Sequence, residues 1–261
     1  QVIRALREEM HQSGVLEVQT PLLLYGTCPD RELESFRVEG GGYLATSTEY
    51  QIKRLMAAGN PALYTLTQNF RPQDKSDRHN PEFTMLEWGR AGATLLQIEQ
   101  DAERLIQKAW EAAGYPVLQW EHRPIQLTCP WERWTVQQVL SRVCGREVQE
   151  FSLLHLREVS AGKVPPDFTQ DLQDIISYLL SLADSWLGTP APAWVVDWPS
   201  VMTASAPLSE NPQVAQRSEL YLGGLEIADG FPFLTNSALQ QDLFQKEQQR
   251  RKEAGKQEVR L

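Results

Sequence analysis

The sequence predicts an α+β fold in which antiparallel strand pairs are flanked by amphipathic helices. Two strand-like runs, "ALYTLTQNF" at 62–70 and "EFTMLEWG" at 82–89, frame a polar loop and predict an antiparallel hairpin with a long tip. "SELYL" and "LEIADG" surround Gly223 and Gly224, and Gly-Gly between two such runs signals a two-residue hairpin turn. "TLLQIEQDAERLIQKAWEAAG" at 94–114 spaces Leu95, Ile98, Ala102, Leu105, Ile106 and Trp110 as one helix face, with Gly114 as its stop. At 261 residues the chain suits one large domain, or a domain carrying an insertion.

The remaining elements follow in order. "QVIRALREEMHQSG" is an amphipathic helix with Val2, Ile3, Leu6 and Met10 on one stripe and Gly14 as its stop. "VLEVQTP" alternates and ends at Pro21, as a short strand does. "GGYLATSTEYQIKRLMAAGNP" reads as a strand running into a helix, with Thr46 as N-cap, Glu49 completing a capping box, and Gly59 and Pro61 as the stop. From 115 to 192 the composition changes to Pro, Trp and short helical pieces, at 135–143 and 170–187, and predicts an inserted subdomain. "PAWVVDWP" at 192–199 restores strand character, and "SALQQDLFQKEQQRRKEAG" makes a charged final helix.

Composition narrows the function classes. A net charge of −9 argues against broad nucleic-acid binding, which uses basic surfaces. The longest apolar stretch, "DIISYLLSLAD" at 174–184, is too short to span a membrane, and the first helix lacks the apolar core of a secretory signal. Three cysteines with no CxxC pair fit a reducing cytoplasm. The missing initiator Met suggests a processed or partial chain. No Walker loop, GxGxxG, GxSxG or HExxH is present.

The candidate chemistry lies in two hairpins. In the first, Phe83, Met85 and Glu87 share a strand face, and a carboxylate there needs a partner once its water is stripped. Arg71 at the hairpin mouth is either a bidentate clamp for phosphate or carboxylate or a solvated loop residue. Phe83 is a core residue or a stacking platform, and Glu49 fits a capping box with Thr46. His79, before Asn80-Pro81, sits in an expected turn. In the second hairpin the turn sets Leu222 opposite Leu225 and Tyr221 opposite Glu226, leaving Glu219 as a diagonal neighbour of Glu226 on one face. These two are either exposed strand glutamates or a pair whose repulsion a Mg²⁺ ion relieves. The set suits a nucleoside triphosphate beside an amine.

At these residues the sequence resembles the class II aminoacyl-tRNA synthetases, specifically the lysine branch and its paralogue, the elongation factor P lysine ligases. "GVLEVQTP" resembles motif 1, whose proline lies at a dimer interface in that family, and "TSTEYQIKRLMAAG" resembles its TSPEYxMKRL segment. "FRPQDKSDRHNPEFTMLEWGR" resembles motif 2, and "GGLEIADGFPFLT" the GxEIxNGxxEL segment. The resemblance implies an antiparallel sheet flanked by helices in a homodimer, with ATP and Mg²⁺ as cofactors. It assigns Arg71 to the ATP α-phosphate and substrate carboxylate, Arg78 and His79 to ATP, and Phe83 to adenine. Glu49, Glu87 and Asp229 would bind the amino acid, a lysine-like one, and Glu219 with Glu226 would hold Mg²⁺.

The implied reaction is attack of an amino-acid carboxylate on the α-phosphate, then transfer to a lysine of elongation factor P. A lysyl-tRNA synthetase catalytic fragment, and a non-catalytic paralogue acting as a binding or regulatory protein, are the alternatives. Four positions depart from the family pattern: Gln73 for Glu, Gly89 for Tyr, Asp229 for Asn and Phe233 for Glu. Motif 3 (GxGxGxxR) is not found before Leu261, so the sequence is expected to be partial or the protein inactive.

Overall fold

The computed structural model describes residues 1–31, 33–72, 79–128, 130–160, 162–168, 171–203, 205–256 and 259–260. They form two compact units, one of residues 3–93 with 234–261, the other of 94–233 with the first two residues.

The first unit is built on α1 (Val2–Gln12), β1 (Leu16–Glu17), β2 (Leu23–Leu24), β3 (Tyr43–Leu44), α2 (Glu49–Ala57), β4 (Ala62–Phe70), β5 (Glu82–Arg90) and α7 (Ser237–Glu253). β4 and β5 pair antiparallel along nine residues each, from Ala62 opposite Arg90 to Phe70 opposite Glu82. β1 adds to β4 in parallel, fastened where the Tyr64 hydroxyl donates to Glu17 at 2.9 Å. Helix α2 lies against β5 so closely that a Cβ on Gly89 would stand 2.5 Å from the Met56 sulfur. Helix α7 is charged along its length, and its anchor is polar: Arg251, 1% exposed, donates to the Asp30 and Leu33 carbonyls at 2.8 Å and reaches Glu34. A buried guanidinium is tolerated because those donors are used.

The second unit holds α3 (Leu95–Ala113), β6 (Leu118–Trp120), β7 (Arg123–Ile125), β8 (Glu132–Thr135), α4 (Val136–Cys144), α5 (Leu153–Val159), α6 (Leu172–Ser181), β9 (Ala193–Pro199), β10 (Val214–Leu222) and β11 (Leu225–Gly230). Its main sheet runs β11-β10-β9-β8. The hairpin pairs are antiparallel as expected, whereas β8 joins β9 in parallel, a pairing that local pattern does not reveal. Strand β9 reads as a near-continuous apolar run because α4 and α6 cover it, with Val139, Leu140, Ile175, Leu179, Val195 and Trp198 in one core. Thr94 and Thr135 each close a capping box, and Gly114 and Gly145 end α3 and α4 in the left-handed conformation. The helix expected over 170–187 stops at Ser181, and the following turns lead to Gly188.

The turn at Gly223 and Gly224 has positive φ at both residues, as the hairpin pattern requires. It also docks: the two N–H groups donate to Gly188 and Leu187 carbonyls at 2.8 and 2.9 Å, and a Cβ on Gly224 would lie 2.2 Å from the Asp184 carbonyl oxygen. Among the described residues no helix is long and apolar enough to cross a membrane.

Candidate active site

Direct pairing along β4 and β5 puts opposed residues on one sheet face, so Thr65 and Glu87, Thr67 and Met85, and Asn69 and Phe83 line a common surface. Glu87 is its most heavily bonded member. The Ser47 hydroxyl donates to one carboxylate oxygen at 2.5 Å, and the Thr48 N–H and hydroxyl both donate to the other at 2.5 Å. Thr48 Oγ1 also lies 2.5 Å from Thr65 Oγ1. One carboxylate thus fastens the start of α2 to the sheet, where the helix N-terminus favours negative charge.

This replaces the capping box expected from Thr46 and Glu49. The helix begins at Glu49 with Thr48 as N-cap, whose own side chain makes no cap bond because its hydroxyl is used on Glu87, while the Ser47 hydroxyl accepts from the Glu49 N–H at 3.0 Å. A charge-assisted tertiary bond outcompetes a neutral local one. Thr46, 3% exposed, contributes its carbonyl instead, which accepts from Arg71 Nε at 3.2 Å.

Arg71 closes the mouth of the hairpin, its N–H donating to the Pro81 carbonyl at 2.9 Å. Its guanidinium sits over the Phe83 ring, 5.3 Å from the centre, a cation–π arrangement. Glu49, half-buried on the first turn of α2, acts electrostatically on Cys28 and Lys53. His79 is exposed. Arg78, with Gln73 and Lys75, lies outside the described residues.

In the other unit the hairpin register is as the turn dictates near its tip, with Leu222 opposite Leu225 and Tyr221 opposite Glu226. A bulge between Leu220 and Tyr221 then shifts the pairing, so Glu219 lies opposite Asp229 rather than simply diagonal to Glu226. Glu219 is 2% exposed, whereas Glu226 and Asp229 are exposed.

Arg217, which sequence reading passed over, organises these acids. It contacts Glu219 at 2.6 Å and Asp229 at 3.4 Å, donates to the Met202 carbonyl at 3.0 Å, and lies over the Trp198 ring. The Tyr221 hydroxyl donates to the other Glu219 oxygen at 2.9 Å. The alternation Arg217, Glu219, Tyr221 along a strand was the available signal. Burial pushes the Glu219 carboxyl up to about 8, with Arg217 opposing the shift and Glu226 and Asp229 adding to it. Burial works against the Arg217 charge, but Glu219, Asp229 and Glu226 outweigh it and raise its pKa.

Among the described residues no three His, Cys, Asp or Glu side chains form a ready metal cage. A hard cation that keeps several waters and phosphate ligands needs only one or two carboxylates from the protein. Glu219 and Glu226 fit that requirement, since positive charge would relieve the penalty that burial and neighbouring acids place on ionised Glu219.

Residues 1–259 match the family model of class II tRNA synthetases (D, K and N). The chain is 34% identical to a protein named "Elongation factor P--(R)-beta-lysine ligase" from Vibrio vulnificus, across 97% of this chain and 78% of that one. Proteins of the same name from Vibrio cholerae and Erwinia tasmaniensis are 33% and 32% identical over the same shares. With the family pattern matched along nearly its whole length, the chain belongs to the class II tRNA synthetases of the D, K and N group.

Proposed function

We propose that this chain is the catalytic domain of an ATP-dependent ligase that activates lysine or a related amino acid and transfers it to a lysine of elongation factor P. The observation that carries this reading is the Arg71 guanidinium poised over Phe83 at the hairpin mouth, on a strand pair that also presents Glu87. An aromatic face for a base beside a bidentate cation suits a nucleotide phosphate and a substrate carboxylate together.

In the proposed reaction Arg71 orients the amino-acid carboxylate and the α-phosphate of ATP. A carboxylate oxygen attacks the α-phosphorus in line, the bond to the bridging oxygen breaks, and pyrophosphate leaves. The acceptor amine then attacks the acyl carbon of the adenylate, losing a proton as AMP departs. Positioning and neutralisation supply the rate, so no protein nucleophile is required. Phe83 stacks on adenine, Arg78 and His79 contact ATP, and Glu49, Glu87 and Asp229 receive the amino acid. Glu219 and Glu226 would hold Mg²⁺, which when bound neutralises phosphate charge. The protein would work in the cytoplasm as a homodimer, with no membrane partner.

ATP–pyrophosphate exchange by the complete gene product, across a panel of amino acids and followed by transfer to elongation factor P, tests this reading. Exchange with transfer supports it. Charging of tRNA would indicate a lysyl-tRNA synthetase instead, and silence with every amino acid a non-catalytic paralogue. Glu219→Ala combined with Glu226→Ala should abolish Mg²⁺-dependent ATP binding, and unchanged affinity would overturn the metal assignment.

A further inference from the structure

Two cations of the second unit have no acid to meet. Arg142, in the last turn of α4, and Lys163, between α5 and α6, line one open cavity of about 450 Å³ with Val143, Tyr178, Leu182 and Trp186. No carboxylate lines that cavity, although the chain as a whole carries a net charge of −9. The Arg142 guanidinium lies 3.9 Å from the centre of the Trp186 ring and 5.4 Å from that of Trp134, and the two rings meet edge to face at 5.5 Å. Stacking fixes the plane of the guanidinium and leaves the N–H groups at its rim unused. Among the described residues neither the Arg142 nor the Lys163 side chain makes a hydrogen bond or an ion pair, and the Lys163 charge is felt only by the Cys144 thiol at the end of α4.

We propose that this cavity is a binding site for a small organic phosphate monoester with an apolar body. A monoester carries nearly two negative charges at pH 7 and three acceptor oxygens, which matches two unpaired cations. The planar fork of Arg142, already oriented by the tryptophans, takes two oxygens side by side, and Lys163 meets the third as a point charge. Val143, Tyr178 and Leu182 offer contact to the apolar part. A carboxylate would bring a single charge and leave one cation unmatched. The volume is that of a small-molecule site. The cavity shares no residue with the hairpins that carry Arg71 and Glu219, so the inference does not depend on the ligase reading.

Calorimetry on the complete protein tests this with phenyl phosphate as the probe, beside inorganic phosphate, benzoate and a short peptide carrying phosphotyrosine. Phenyl phosphate should bind about tenfold more tightly than inorganic phosphate, which lacks the apolar body, and than benzoate, which lacks the second charge. Arg142→Gln and Lys163→Gln should each weaken it by about tenfold, whereas Arg71→Met, which removes the clamp of the other site, should leave it unchanged. The proposal is overturned by undetectable binding of phenyl phosphate, by equal affinity for inorganic phosphate or benzoate, or by binding that falls with Arg71→Met and not with the two cavity variants. Tenfold tighter binding of the peptide would make the ligand a protein side chain and overturn the small-molecule assignment. Should Arg142→Gln fail to fold, Lys163→Gln, at an exposed position, decides alone.

Discussion

Arg217 meets Glu219 at 2.6 Å while its guanidinium lies 4.9 Å from the centre of the Trp198 ring. The cation is held by an acid at one end and an aromatic face beneath it, and it is largely enclosed. Replacing it with methionine keeps the stem and removes the charge, leaving Glu219 buried beside Asp229 without its cation. Breaking a buried pair from one side costs on the order of 3 to 5 kcal/mol. Urea unfolding of Arg217→Met should show that loss, and the double variant Arg217→Met with Glu219→Gln should recover much of it. An unchanged midpoint in the single variant would show that the pair contributes nothing.

Gly224 combines a positive φ of 82° with a Cβ position 2.2 Å from the Asp184 carbonyl oxygen. Both backbone strain and a clash with main chain oppose any side chain there, so Gly224→Ala should cost about 2 kcal/mol or more. Gly255 supplies the control, with φ of 70° and nothing among the described residues within 4 Å of its would-be Cβ. Gly255→Ala should cost about 1 kcal/mol, from conformation alone. Equal melting temperatures for the two variants would show that docking of the turn on the 184–188 segment is unimportant.

Asn69 sits on the same sheet face as Phe83, fully buried, and among the described residues neither its amide oxygen nor its nitrogen has a hydrogen-bond partner. An unsatisfied buried amide costs about 1 to 3 kcal/mol. Asn69→Leu, close in size and apolar, should therefore raise the urea midpoint of the ligand-free protein. A lower midpoint would mean that the amide is satisfied in solution.

Cys28 is pushed up to about 11, first by burial and then by the Asp30 charge. A thiol raised above its unfolded value of 9 keeps its proton in the folded chain while the unfolded chain loses it. Folded protein then binds more protons than unfolded, so this group makes stability fall as pH rises from about 9 to about 11. Cys28→Ala should flatten that part of the pH dependence relative to the unaltered protein. Iodoacetamide should label Cys28 far more slowly in the folded than in the urea-unfolded chain at pH 8, since the thiolate is the nucleophile.

Local pattern determined a good deal of this protein. The helix over 95–113 with its stop at Gly114, the β4–β5 hairpin, and the pairing of Tyr221 with Glu226 around two glycines are set by neighbours in the chain. Side-chain period and turn stereochemistry act within a few residues, so sequence displays them. The family membership was legible for a related reason, because the HNPEFTMLEW and GGLEIADG strings carry strand, turn and polar residues at fixed spacing.

Tertiary structure alone decided where the acids find their partners. Glu87 is 39 residues from Thr48 in the chain, yet it takes the hydroxyl that would otherwise cap α2. The bulge that sets Glu219 opposite Asp229 depends on both strands, and the parallel seam between β8 and β9 brings together residues separated by α4, α5 and α6. Hydrogen bonds to ions strengthen when water is excluded, and water exclusion belongs to the packed assembly of elements rather than to any segment of the chain.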